Sequence, residues 1–140
     1  LSTYLTGPDW ALAINEPDES LEAYHKYRKP VVEFCRDGEA DVHHFLDPAF
    51  DRKVQITGAS VDPVLYLRER RFLLVLTQNE SYGKKCEIRI SLDLLRMSSP
   101  MLRVKDSVTG DNIAATIHEG SLIISDIELS EMPRLIVGSY

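Results

Sequence analysis

The stretch RFLLVLTQNESYGKKCEIRISL, residues 71–92, holds two strand signatures of different kind with a chain reversal between them. Residues 72–76 are apolar without a break. Such a run has the length of one strand, and it is expected either in a central strand covered on both faces or at a sheet–sheet core. In the second half Cys86, Ile88, Ile90 and Leu92 alternate with Glu87, Arg89 and Ser91. That period of two sends one face inward and leaves the other in water. Residues 79–83, with Asn79, Ser81 and Gly83, supply the turn.

The same texture continues on both sides. Short apolar or alternating runs occur at 54–56, 64–67, 101–108, 113–117, 122–124 and 135–137, separated by turn formers at 98–100, 109–112 and 119–120. Reversals this closely spaced imply antiparallel pairing, and runs of this length suit strands. The expectation is a mainly β chain folded as a two-sheet β-sandwich of Greek-key type, with a small barrel as the other closure.

Before residue 50 the period changes. Leu21, Tyr24, Arg28, Val31, Val32 and Cys35 follow helical spacing, and Pro17, Asp18 and Glu19 are residues favoured at helix starts. A helix is predicted over 18–37. Pro30 interrupts it at the cost of a hydrogen bond, and Gly38 ends it. Residues 38–48 read as loop or a short helical turn. The organisation expected is a helical segment or linker over 1–50 and a β-sandwich domain over 51–140, with the boundary near Asp47, Pro48 and Asp51. A lone helix of this length is marginal in water, so its Leu21, Tyr24, Val31 and Cys35 face is expected to bury against the β domain or against a neighbour.

Charge follows the same division. Residues 1–50 hold ten acids and four bases, while residues 51–140 hold twelve of each, for a net charge of −6. No basic stripe with interleaved aromatics is present, which argues against a nucleic-acid surface. Arg68, Glu69, Arg70 and Arg71 form a short run that contains its own acid and reads as a solvated turn. No stretch is apolar enough to span a membrane, and no basic-then-apolar leader opens the chain. A start at Leu1 fits a processed or excised piece of a longer protein. Cys35 and Cys86 have no CxxC spacing, so they are expected to behave as small buried hydrophobes, with a disulfide left open.

Residues capable of chemistry are present but not in catalytic patterns. Asp41, His43, His44, Asp47 and His118 would have to converge to hold a metal, yet neighbouring His43 and His44 point in different directions, and no HxH or HExxH spacing supports them. A polar loop, or a pH-sensitive contact through a histidine, is the alternative. Glu119, Asp126, Glu128 and Glu131 lie around one strand but read as the wet edge of a sheet, not as a facing carboxylate pair. GxSxG and a glycine-rich phosphate loop are absent. Trp10, Tyr4, Tyr24, Tyr27, Tyr66, Tyr82 and Tyr140 are scattered, with Tyr82 the best exposed candidate for stacking on a sugar ring. No catalytic, cofactor-binding or metal-ligating residue is therefore assigned, and no cofactor is expected.

From Phe72 onward the segments FLLVLTQNES, KCEIRISLDLL, MLRVKDSVTGDNI, SLIISDIEL and MPRLIVGSY resemble, in that order, the C-terminal β-sandwich domain of TIM-barrel glycoside hydrolases. The matching features are a strand with an asparagine-containing turn (73–79), the SLDL strand (91–94), the VxDxxTG strand and turn (104–110) and a last strand at 135–137. The helix LEAYHKYRKPVVEFCRDG similarly looks like the closing helix of a catalytic barrel leading into the sandwich. The resemblance implies a non-catalytic accessory domain that stabilises or positions an upstream carbohydrate-active domain of the same polypeptide. Catalytic carboxylates would lie upstream, and none carries over to this sequence. Two other functions stay open. One is a free-standing carbohydrate-binding module, which needs an exposed aromatic row or a concave polar groove. The other is a small metal-dependent β-barrel enzyme using His43, His44 or His118.

Overall fold

The computed structural model describes residues 22–36, 40–47, 50, 53–78, 83–97 and 102–140. Among them nine strands run in the order β1 (Asp41–His44), β2 (Val54–Thr57), β3 (Val61–Arg68), β4 (Arg71–Gln78), β5 (Lys85–Ser91), β6 (Arg103–Asp106), β7 (Ala115–His118), β8 (Ser121–Glu128) and β9 (Arg134–Ser139). They build a five-stranded sheet, β1-β3-β4-β9-β6, and a four-stranded sheet, β2-β5-β8-β7, with every pairing antiparallel. The two sheets face each other as a sandwich and do not close into a barrel.

The unbroken apolar run of β4 is explained by what lies on each side of it. Phe72, Leu74 and Leu76 enter the core between the sheets, where they meet Ile88, Ile90, Leu122 and Ile124. Leu73 and Val75 point the other way, into a second core with Val64, Tyr66 and Leu135 of the same sheet and Val31 and Phe34 of the N-terminal helix. Each such side chain contributes about 1.5 to 3 kcal/mol on burial. The molecule therefore has three layers: helix, five-stranded sheet and four-stranded sheet. By contrast Gln55, Thr57, Arg89, Thr116 and Ser125 leave the outer face of the four-stranded sheet exposed and polar, and Glu87 there bonds both Arg89 and Ser125.

Local chemistry sets the ends and irregularities of the strands. In β8 the buried residues Ile124 and Ile127 are three apart, a spacing that alternation forbids. A bulge resolves this: Cys86 pairs with Ile127 and Ile88 with Ile124, and Asp126 takes the left-handed conformation at φ 57°. The extra residue returns Ile127 to the core and extends the expected 122–124 strand to Glu128. β7 and β8 are joined by Glu119 and Gly120, both at positive φ, which matches the twist of a two-residue hairpin.

Three sequence expectations need correction. Residues 38–48 include β1, whose exposed Val42 and polar neighbours hide its strand character at the edge of the sheet. The strand expected to run to Leu92 stops at Ser91, and one helical turn, α2 (Leu92–Leu95), follows. Leu95 is buried in the end of the core, and the Tyr140 hydroxyl donates a 2.6 Å hydrogen bond to its carbonyl. The strand expected over 101–108 shortens to β6 because the Asp106 side chain turns the chain: its Oδ1 accepts the Val108 and Thr109 N–H groups at 2.7 and 2.9 Å. Asp106 is itself buried, and Arg134 Nε lies 2.7 Å from its Oδ2 without a hydrogen bond's alignment. The aspartate of the VxDxxTG stretch is thus a turn cap tied to β9.

Cys35 packs on the helix side of the five-stranded sheet and Cys86 in the core beyond it, so both remain free thiols and the sheet between them prevents a bridge. No helix among the described residues is long and apolar enough to cross a membrane.

Gly138 of β9 lies opposite Phe72, and a Cβ there would sit 2.1 Å from the Phe72 ring. That ring is fully buried and cannot swing aside. Gly138→Ala is expected to lower stability by about 1 to 3 kcal/mol, read as a fall in the urea midpoint. A second outcome concerns pH. Burial raises the pKa of the Tyr140 phenol, disfavouring its anion in the folded state. The unfolded phenol ionises near about pH 10, so this contribution is complete below that pH and is lost as pH rises through the higher folded value. Tyr140→Phe should flatten the alkaline decline in the midpoint relative to the unsubstituted chain.

Candidate functional site

The helix that covers the five-stranded sheet contains an irregularity. A turn of π-helix over Tyr24–Arg28 leads into α1 (Lys29–Phe34), with Pro30 in the first turn, where its missing N–H costs least. Ala23, Val31 and Phe34 are buried and Tyr27 half-buried, at successive spacings of four, four and three, while Val32 is 43% exposed on the outer side. Val31 is buried as expected and Cys35 is half-buried. Leu21 and the Tyr24 side chain lie outside the described residues, as does the expected helix start at 18.

The arginine turn between β3 and β4 fastens this helix. Arg68 Nη1 donates to the Phe34 carbonyl at 3.2 Å, and the Arg71 guanidinium sits 5.6 Å from the Phe34 ring centroid. Cations at a helix C-terminus are favourable, and stacking over the ring adds a cation–π contact. Residues 68–71 are therefore a clamp and not a merely solvated turn. Only a distant carbonyl and ring give them that role, so nothing in the local sequence reveals it. Next to the helix layer, Val42 of β1 pairs with Tyr66 and shares its side of the sheet, and Leu46 is 75% exposed beyond it.

A second feature lies at the β1 edge of the sandwich. Asp41 and His43 pair with Leu67 and Leu65, whose side chains face the inter-sheet core, so these polar residues point toward the gap between the sheets. The other wall comes from Lys53, which precedes β2, from Ser91 at the end of β5, and from Asp93, Leu94 and Arg96 of α2. The Ser91 N–H bonds the Lys53 carbonyl at 2.8 Å, which joins the two parts of this wall. Arg96 closes α2 at φ 50°, a left-handed conformation uncommon outside glycine. Together these residues, with Val42 and Leu67, line an open cleft of about 580 Å³.

The expected histidine and carboxylate candidates separate. Asp41 and His43 reach the cleft, whereas His44 accepts the Leu46 N–H on Nδ1 and stacks on Phe45, with centroids 4.4 Å apart. Asp47 belongs to the turn after β1, its N–H bonded to the His44 carbonyl. His118 stands on β7, the edge strand on the side where β6 hands the chain over to the four-stranded sheet, and its Nε2 is 3.6 Å from Glu119. Among the described residues no three His, Cys, Asp or Glu side chains are placed to hold a metal. Glu119 forms the hairpin turn, Asp126 the bulge, and the Glu128 carbonyl accepts from Arg134, so these acids occupy structural positions along the edge. Tyr66 is buried and Tyr27 and Tyr140 are half-buried, which leaves no exposed aromatic row among the described residues. Tyr82, Tyr4 and Trp10 lie outside them.

No protein-family profile matches the chain, and no curated protein matches it. One solved structure is similar in fold: a noncanonic maltogenic alpha-amylase, AmyB, from Thermotoga neapolitana, with a TM-score of 0.54 and 8% identity over 86% of this chain. The chain spans a quarter of that protein's length, 25%.

The burial of Phe34 and the exposure of Val32 yield a sharp contrast. Phe34→Ala should lower stability by about 3 to 5 kcal/mol, whereas Val32→Ala should stay within about 0.5 kcal/mol. Denaturant midpoints of the two variants measure the difference, and equal effects would contradict the assignment of Phe34, and not Val32, to the packed face.

Proposed function

We propose that this chain is a non-catalytic accessory domain of a larger carbohydrate-active enzyme, stabilising or positioning a catalytic domain of the same polypeptide. The observation that carries this reading is the fold likeness: most of this chain corresponds to a quarter of a maltogenic alpha-amylase. In this proposal the residues ahead of β1 form the connecting segment, and the sandwich includes β1 (Asp41–His44) together with residues 51–140. The helix side of the five-stranded sheet is the contact surface in this proposal, because the covering helix exposes an apolar side chain there, Val32. The polar outer face of the four-stranded sheet would stay in water.

The chain alone should hydrolyse none of a panel of aryl glycosides and oligosaccharides. In the full-length polypeptide, deleting it should lower the melting temperature of the catalytic domain by several degrees, since a bound neighbour stabilises what it contacts. Calorimetry of the two forms provides the measurement. Glycoside hydrolysis by the chain alone, or a catalytic domain whose melting is unchanged by the deletion, would overturn the proposal.

A further inference from the structure

We infer that the edge cleft between β1 and α2 is a carbohydrate-binding site, taking a neutral, hydroxyl-rich segment of a glycan. This rests on the proposed function for its substrate class, but its argument is the cleft's own chemistry. Asp41 and Asp93 supply two carboxylates, and Lys53 and Arg96 supply two cations, so the cleft carries both signs in equal number. An anion would gain from one pair and be repelled by the other, and a simple cation likewise. A sugar hydroxyl does not face that conflict, because it donates to a carboxylate and accepts from an ammonium or guanidinium. Hydrogen bonds to charged groups are the stronger kind.

The four charges have not neutralised one another: among the described residues no ion pair joins them. Their hydrogen-bonding capacity is thus available to a ligand. Leu67 and Leu94 give the same cleft apolar surface for the C–H faces of a sugar ring, and about 580 Å³ lies within the roughly 300–1,000 Å³ range of small-ligand sites. Arg96 is held at its left-handed position by the end of α2, its N–H directed at the Asp93 carbonyl at 3.3 Å. A strained non-glycine residue on a cleft wall accords with a role there. The cleft opens at the sheet edge, whereas the proposed domain contact uses the helix-covered face, so one molecule can use both.

Amide chemical shifts of the 140-residue chain test this, titrated separately with maltotriose, cellotriose, xylotriose, glycine and inorganic phosphate. At least one neutral trisaccharide should shift the Asp41, His43, Ser91 and Arg96 amides saturably, while glycine and phosphate should not. Asp93→Asn and Arg96→Gly should each weaken binding about tenfold. Glycine keeps the left-handed conformation, and Lys53→Gln, at an exposed position, is a second variant that leaves α2 untouched. The inference is overturned if no trisaccharide shifts these amides, if glycine or phosphate shifts them more, or if sugar binding survives unchanged in Arg96→Gly and Lys53→Gln. Such a result would leave the calorimetric test of the accessory role standing, so the two ideas fail separately.

Discussion

Burial of β4 on both faces is the constraint on which the rest of this structure depends. A strand with Phe72, Leu74 and Leu76 on one side and Leu73 and Val75 on the other cannot lie on the surface of a two-layer sandwich. It requires a covering layer on each side, and the chain provides them: the helix around Val31 and Phe34 from its N-terminal part, and the four-stranded sheet from strands lying between residues 54 and 128. β3 shares the arrangement, with Leu65 and Leu67 inward and Val64 and Tyr66 outward. The four-stranded sheet, covered once, shows the opposite habit in β5, whose Cys86, Ile88 and Ile90 are buried between exposed or half-buried polar residues.

This asymmetry gives the molecule two distinct kinds of surface. One side of the five-stranded sheet demands an apolar cover, and the arginine turn holds that cover in place through Arg68 and Arg71. The far side of the four-stranded sheet is polar and paired internally. Between them, at the β1 edge, charged side chains meet in a concave setting without pairing. Structural contact and ligand contact thus fall on different parts of the domain.

Most of the sandwich was legible in the sequence because a hydrophobic period of two is written locally. Phe72 to Leu76 and Cys86 to Ile90 needed no tertiary information to be placed. Features that depend on distant partners were not legible. β1 has only Val42 as an apolar residue, and its pairing with β3 is what makes it a strand. Phe34 is not among the residues expected to bury, and its place inside follows from distant partners, the second core and the Arg71 guanidinium. For the cleft, Asp41 and His43 stood out as unusual residues, but Lys53, Asp93 and Arg96 join them only because two sheets converge at one edge. Asp106 falls inside the strand expected over 101–108, and its burial beside Arg134 follows only from the placement of β9.

That placement has a consequence for the order of assembly. β9 is the last strand in the chain, yet it sits between β4 and β6, pairing with both. During synthesis β4, apolar on both faces, must therefore wait, one edge open, until β9 arrives. An open edge on a strand apolar on both faces is a template for pairing with another molecule. The long sequence separation between β4 and β9 also slows closure relative to a hairpin. The five-stranded sheet is thus most vulnerable to aggregation before β9 inserts, and substitutions in β9 should affect yield of folded protein as much as its final stability.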